Sequence, residues 1–476
     1  MTGVRSTVPS VVVRGVSVGL MAQVVKAGTL FVGTVLISRY LGTSLFGVAA
    51  AVMVVGGIAQ VLADFGLSTG IARIPDVPRQ VATNLFWANL LLGLILGAAV
   101  ALLAPVLSSA VGAPDYTALF YLTAVLFPLG VLSGHYKAIA ASELRFSLIA
   151  ISDVVGQVLS TTAAVVLAAN GFGPGALVMQ LLLAFAITVV LLLIAIRQAP
   201  GVPRDLRESR EVLNVSSGSL GTQALVYATL AIEKVIVSRL VGLSALGVYE
   251  FAQRIARMPS IQLAVPTNRV AIPVLGRLQS DPDLFWNRFR GFYVPFVVTV
   301  SGVLAITISV ADVVIPALMG GSWKGAVVVV QVIALGTFPQ ILALPLVWIF
   351  TALGLTTRQF TVSVLSRTLG LGFVALGASF GLTFAAVGSA AASAVNLILM
   401  AALAVRLVPA LARRLLRLIV SQMAICGVLL VVCFLLGLVG GGVSAVLGSV
   451  AGLALIAWQV VVFSTRRRTG KVPQNV

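Results

Sequence analysis

The apolar positions of this chain fall in long unbroken runs, neither the short alternations of strands nor the narrow stripes of water-soluble helices. Crossing a hydrocarbon core of about 30 Å takes about 20 helical residues. At that length the runs predict fourteen helices, over 14–38, 45–66, 81–104, 116–136, 147–169, 175–196, 214–238, 244–268, 291–315, 326–350, 360–380, 384–405, 415–437 and 442–463. The second and eighth carry polar ends. The first run continues into a full span with no small-residue cleavage site, which predicts an uncleaved first helix. A membrane barrel would read as alternating segments of about ten residues.

Composition leads to the same class. Of 476 residues, 59% are hydrophobic and 9% charged, where a soluble domain carries about 25% charged residues. So few charges cannot cover a water-soluble fold of this length, and the apolar excess excludes a disordered chain. Cys426 and Cys433 lie seven apart in one apolar run, share a helix face and cannot bridge. Neither a disulfide framework nor a metal site is suggested. No nucleotide-binding loop, HExxH or nucleophile elbow occurs, so the chain reads as a transporter rather than an enzyme, with no cofactor. Its energy would come from an ion gradient, the substrate gradient or a separate ATPase.

Thirty-one basic against thirteen acidic residues give a net charge of +18. In a soluble protein that balance would suggest nucleic acid. With the N-terminus placed in the cytoplasm, the even-numbered connections and the two termini hold 22 of the basic residues. The odd-numbered connections hold 3, namely Arg39, Arg239 and Lys324. This asymmetry is the enrichment of Lys and Arg in cytoplasmic loops, and it predicts both termini on that side. Nucleic acid is not needed to explain the charge. The run Arg413-Arg414-Leu415-Leu416-Arg417 and the tail Arg466-Arg467-Arg468 would lie against anionic headgroups of the membrane lipids.

The chain also repeats. At an offset of 200, residues 23–48 and 223–248 share ten identities in 26 positions, among them Ser38/Ser238, Arg39/Arg239, Gly42/Gly242, Ser44/Ser244 and Gly47/Gly247. A weaker echo at another offset relates Arg145-Phe146 and Ser152 to Gln359-Phe360 and Ser366. Six spans separate the copies, so both cross in one direction, as in a parallel duplication. The expected architecture is an all-α polytopic membrane protein of two parallel-duplicated six-helix lobes plus two C-terminal helices. Its expected parts are an N-lobe over 1–197, a cytoplasmic linker over 198–213, a C-lobe over 214–405, and helices thirteen and fourteen with a basic cytoplasmic tail over 406–476.

The candidate chemistry lies in charges inside spans. Each costs about 2.5–3.5 kcal/mol at the bilayer centre and should face a partner or a wet cavity. Six cations qualify: Lys26, Lys234, Arg254, Arg257, Arg269 and Arg367. Lys26 and Lys234 lie in the first and seventh spans, the helices related by the repeat, and Arg367 faces the position held by Asp153 if the lobes superpose. Glu250, Arg254 and Arg257 follow i, i+4, i+7 spacing and line one helix face. A cavity with more cations than anions suits a large anionic substrate such as a diphosphate or an acidic sugar chain. Three acids are candidates for ion coupling: Asp153, Glu250 and Glu233.

Plainer readings stand beside these. Glu250–Arg254 can be an intrahelical ion pair, and Glu233–Lys234 can straddle a helix contact. Arg254, Arg257 and Arg269 can lie in a wet cytoplasmic extension, Arg39 and Arg239 can cap helix ends, and Asp64 can be a polar helix end. The one histidine, His135, sits beside Lys137 and reads as solvated at a cytoplasmic helix end. Abundant glycine, as at Gly28, Gly33, Gly370 and Gly377, serves close packing or bending alike.

Several segments carry a family resemblance: Ser38-Arg39-Tyr40-Leu41-Gly42 with Phe46-Gly47, then Asp64-Phe65-Gly66-Leu67-Ser68, Phe86-Trp87-Ala88-Asn89, and Glu143-Leu144-Arg145-Phe146. Leu246-Gly247-Val248-Tyr249 through Arg254 and Pro259, and Arg269 through Leu275 with Arg277-Leu278-Gln279, continue it. From about residue 10 to 405 the chain resembles the bacterial oligosaccharide flippases of the multidrug/oligosaccharidyl-lipid/polysaccharide superfamily, nearest the colanic-acid and teichuronic-acid exporter branch. The resemblance implies a protein of the bacterial plasma (inner) membrane. Such a protein moves polyprenyl-diphosphate-linked oligosaccharide between leaflets by alternating access, with a polymerase and chain-length regulator as partners. It implies that Lys26, Lys234, Arg254 and Arg257 bind the diphosphate or acidic sugars. Relatives carry Arg-x-x-Asp in the seventh helix, whereas Thr229 to Glu233 keeps an acid and lacks the arginine. The competing readings are a peptidoglycan-precursor flippase, a cation-coupled multidrug exporter, which would want an acidic cavity, and a membrane glycosyltransferase or polymerase, which would want a large outer loop or a catalytic acid cluster.

Overall fold

The computed structural model describes the backbone of residues 8–65, 78–197, 200–203, 227–439 and 442–468. It describes the side chains of 21–62, 78–197, 200–203, 227–268, 270–438 and 445–458. Among these residues every regular element is a helix, which agrees with the expected all-α membrane architecture. In chain order they are α1 (Val8–Phe65), α2 (Arg79–Ala110), α3 (Thr117–Ala124), α4 (Leu126–Ser142), α5 (Phe146–Ala169), α6 (Gly175–Ile196), α7 (227–240) and α8 (Leu243–Gly276). Then follow α9 (Pro282–Met319), α10 (Ala326–Ala343), α11 (Leu346–Ala352), α12 (Thr356–Ala378), α13 (Leu382–Leu407), α14 (Pro409–Gln422), α15 (Val428–Val439) and α16 (Gly442–Arg468).

Ten described segments are long and apolar enough to cross a membrane. One of them, Met21–Leu62, is 42 residues long and broken at Gly42, so it makes two crossings. With α7, α8 and α16 added, these elements fit the fourteen expected spans. The fourth span is α3 and α4, broken at Val125 ahead of Pro128, and the tenth is α10 and α11, broken at Leu344-Pro345. In each, proline cannot donate to the carbonyl one turn back, and the helix is interrupted nearby. The start of the seventh span, most of the 198–213 linker, Asp64 and the C-terminal arginines' side chains lie outside the described residues.

The repeated turn has one structure in both copies. Gly42 and Gly242 adopt φ of 67° and 105°, a region open to glycine and costly to other residues. Ser38 and Ser238 donate to the carbonyls of Val35 and Val235, each at 3.0 Å. A second equivalence appears one turn before α5 and α12. Leu144 (φ 56°) and Gly354 (φ 70°) close the preceding helices with the same bond pair. Arg145 N–H bonds Ala140 and Leu144 N–H bonds Ala141, just as Leu355 bonds Phe350 and Gly354 bonds Thr351.

Cα packing divides the chain into two compact units, Met1–Gly247 and Val248–Val476. In the first, α5 turns a face of Ser152, Gly156, Ser160, Ala164 and Ala168 inward, one small residue per turn. Such a stripe lets membrane helices approach closely where lipid supplies no hydrophobic drive. In the second, α12 does the same with Ser366, Gly370, Val374 and Ala378. A Cβ added to Gly377 or Gly388 would overlap the backbone of the other helix of the α12–α13 pair. The buried faces of α5 and α12 match at an offset of 214, the turns before them at 210; the difference is one helical turn. The two C-terminal helices pack on α9 and α10, with Gly452 of α16 against the Gly302 carbonyl and Gly437 of α15 against the Gln331 side chain.

Candidate functional site: paired intramembrane charges in each unit

In the first unit, three helices place charges on one another. α5 carries Asp153 beside the buried Ser152, and both carboxylate oxygens are engaged. Lys26 of α1 lies 3.2 Å from Oδ2, and Lys137 of α4 lies 2.8 Å from Oδ1. The lysine side chains are 32% and 22% exposed and the aspartate 22%, so the cluster is half-buried rather than sealed. The cluster sets one anion between two cations. A turn further along the same face of α5, the Gln157 amide donates to Thr161 Oγ1 at 2.8 Å, and the Gln180 amide of α6 donates to the same oxygen at 2.8 Å. The Thr161 methyl fills the space at Gly33 of α1.

Two sequence expectations change here. Hydropathy ends the fourth span at residue 136, which leaves Lys137 in the following connection, but Lys137 lies within α4, because that helix runs on to Ser142. The apolar stretch Ala138–Ala141 that follows it was the available signal. His135 was expected in solvent; it is 2% exposed, ringed edge-on by Phe86 and Tyr136. The fourth span runs on to Ser142, past the end that hydropathy suggests, which carries both residues inward.

The exporter-like segments have local jobs. Arg145 of Glu-Leu-Arg-Phe pairs with Glu143 at 3.3 Å and donates to the Ala195 carbonyl at the end of α6 at 3.3 Å. Trp87 Nε1 donates to the Gly201 carbonyl at 2.9 Å, and Gln80 reaches the Val202 carbonyl at 3.3 Å. Residues 201–202 are thereby held against one face of α2. Arg239 caps α2 as expected, with Nε on the Ala110 carbonyl at 2.7 Å and Nη2 on that of Ser109. Its counterpart Arg39 is exposed.

In the second unit the charges lie on α8. Arg254 Nε donates to Glu250 Oε1 at 3.1 Å, an i, i+4 ion pair whose carboxylate is nearly buried. Arg257, three residues on, is half-buried, and its Nε is buried without a hydrogen-bond partner. One neutral polar contact joins this stretch to α13, Gln253 donating to Ser389 at 3.4 Å, and elsewhere in the unit Ser366 of α12 donates to Asn396 of α13 at 2.9 Å. Arg367, next to Ser366, is half-buried. Pro259, Pro266 and Pro273 interrupt the hydrogen-bond ladder of α8 every seven residues, along one face. Arg269 lies on α8, with its side chain outside the described residues. Glu233 and Lys234, which belong to the first unit, are half-buried on α7. Asp312, inside α9, is an intramembrane carboxylate that the sequence reading passed over, and its Oδ1 is buried. No group of three or more His, Cys, Asp or Glu is gathered for a metal among the described residues.

The helix order, the kinked first pair and the duplicated turn define a polytopic helical membrane fold. The structure aligns with the lipid II flippase MurJ in an inward closed conformation over 94% of this chain and all of that one, at a TM-score of 0.65 and 11% identity. It aligns with an inward-facing multidrug resistance MATE family transporter of the MOP superfamily over 85% of this chain and 99% of that one, at 0.63 and 14% identity. Sequence narrows the class. Residues 36–328 match the family described as "Polysaccharide biosynthesis protein", and the chain belongs to that family. Similar curated proteins include the succinoglycan biosynthesis transport protein ExoT of Rhizobium meliloti, 25% identical over 57% of this chain and 55% of that protein. Another is the teichuronic acid biosynthesis protein TuaB of Bacillus subtilis, 22% identical over 60% of each chain. The matches thus span under two thirds of these relatives' lengths.

Proposed function

We propose that this protein is a flippase that carries polyprenyl-diphosphate-linked oligosaccharide from the inner to the outer leaflet of a bacterial plasma membrane. It works by alternating access between lobes 1–197 and 214–405, with both termini in the cytoplasm. Membership of the polysaccharide family and the names of ExoT and TuaB support the cargo class. The observation that carries the reading is that two cations accompany one acid in each of two charge clusters, one on α1, α4 and α5 and one along α8. Lys26 and Lys137 share Asp153, and on α8 Arg254 pairs with Glu250 while Arg257 follows three residues further along. Uncompensated cations cost about 2.5–3.5 kcal/mol each within a bilayer, and an anionic cargo offsets that cost. A diphosphate supplies several acceptor oxygens, and charge-assisted hydrogen bonds to it are the strong kind.

In this mechanism Asp153 keeps the two ammonium groups in place while the site is empty. Cargo phosphate then competes with the carboxylate for them, so that binding loosens the joint between α1, α4 and α5. Lys234, Arg269 and Arg367 complete the cationic set, and Glu233 and Glu250 are the remaining acids for ion coupling. A polymerase and a chain-length regulator would take up the exported unit. An exporter of cationic drugs would need an uncommitted acid, and both oxygens of Asp153 are occupied by lysines.

Leaflet-resolved labelling of lipid-linked glycan in cells lacking the protein tests the proposal. Accumulation on the inner leaflet, reversed by the restored gene, is the expected result. Undiminished outward flux overturns it, and loss of peptidoglycan-precursor flux instead would reassign the cargo.

A further inference from the structure

Gly47 and Gly247, equivalent positions of the repeat, meet backbone to backbone inside the first unit. A Cβ on Gly47 would overlap the Leu243 carbonyl oxygen, and a Cβ on Gly247 would overlap the Thr43 carbonyl oxygen. Thr43 and Leu243 are themselves a pair at the offset of 200, so the contact is reciprocal, like a local two-fold interface. Two further contacts fasten the same place. The Thr43 and Ser244 hydroxyls lie 2.9 Å apart. Arg239, from the second copy of the turn, holds the Ser109 and Ala110 carbonyls at the end of α2. The turns follow the first and seventh spans, which places them on the outer side in the topology that the basic residues favour.

We infer that this crossing is the outer gate of the protein: the two copies of the repeated turn close the outward path by glycine contact and must part for cargo to leave. The inference rests on the alternating-access reading above. While the backbones at Gly47 and Gly247 touch, nothing the size of a sugar passes between the turns. Glycine is required because only bare backbones approach this closely, and small residues at crossings serve that purpose in membranes. Arg239 is the latch. It gains charge-assisted bonds to helix-end carbonyls in the closed state and loses them on opening, so it biases the gate shut.

The test uses the full-length protein carrying Thr43→Cys and Ser244→Cys together, whose thiols would sit within disulfide reach. Cys426 and Cys433 are buried and do not compete. Export of lipid-linked glycan is expected to fall at least about tenfold on oxidation and to return on reduction, with either single variant unaffected. Full export through a completely oxidised pair overturns the gate. A parallel arm follows a membrane-impermeant maleimide on Thr43→Cys added from outside the cell. Adding Arg239→Gln or Gly247→Ala should raise the labelling rate severalfold, and an unchanged rate also overturns the gate. This arm needs no cargo. If neither the unmodified protein nor the reduced pair moves lipid-linked glycan, the cargo assignment fails and the labelling alone decides the gate.

Discussion

Lys137 of α4 lies closer to Asp153 of α5 than Lys26 of α1 does, at 2.8 Å against 3.2 Å, and each takes its own carboxylate oxygen. The aspartate therefore ties three helices while remaining outnumbered. Lys137→Gln should leave a one-to-one pair and a folded protein. It should lower export by about tenfold or more, the loss of one charge-assisted bond of about 1.5–3 kcal/mol to an anion. Asp153→Asn should instead leave two lysines facing one another and lower the yield of folded protein. Membrane yield and export rate, measured on both variants, separate the two outcomes. Equal export by Lys137→Gln and the unmodified protein would remove Lys137 from the site.

Arg254 and Arg257 should behave differently although they are three residues apart. Arg254 serves the nearly buried Glu250 carboxylate, so Arg254→Gln should cost about 1–3 kcal/mol of stability, visible as a lower thermal midpoint in detergent. Arg257 has a buried Nε that no protein group satisfies. Arg257→Gln should hold the midpoint and reduce export. A fall in the midpoint with export intact would make Arg257 structural.

The helix-end turns offer a reciprocal test. Leu144 holds a left-handed conformation that its counterpart Gly354 adopts at no steric cost. Leu144→Gly should stabilise the first unit by up to about 1 kcal/mol, and Gly354→Leu should destabilise the second by about as much. The Leu144 side chain is exposed, so little packing is lost. Thermal midpoints of the two variants moving in one direction would refute the equivalence.

Trp87 is expected to anchor the chain after α6. Trp87→Phe keeps the aromatic packing on Phe86 and removes the bond to the Gly201 carbonyl, about 1 kcal/mol. Hydrogen exchange at the Gly201 and Val202 amides should quicken by roughly fivefold while α2 stays protected. Unchanged exchange would mean the contact holds nothing.

The class of this protein, an all-α chain of many membrane spans, was legible from hydropathy. Whether a run of about 20 residues prefers lipid to water is a local property, summed residue by residue along the chain. The duplication was equally legible, because Ser38/Ser238, Gly42/Gly242 and Gly47/Gly247 do the same local work in both copies. The site was legible only in part. Lys26 and Asp153 stand out as charges inside apolar runs, but their pairing joins residues 127 apart, and no periodicity encodes such a distance. Lys137 and His135 were misplaced because hydropathy locates the centre of a span well and its end poorly. Glu250–Arg254 was legible as an i, i+4 pair, but folding alone decided which distant charges meet: Lys26 and Lys137 for Asp153, and none for Arg257 Nε. That choice depends on the depth and rotation at which neighbouring helices lock. Small residues such as Gly156 and Gly33 set that lock, and a shift of one turn would bring different partners face to face.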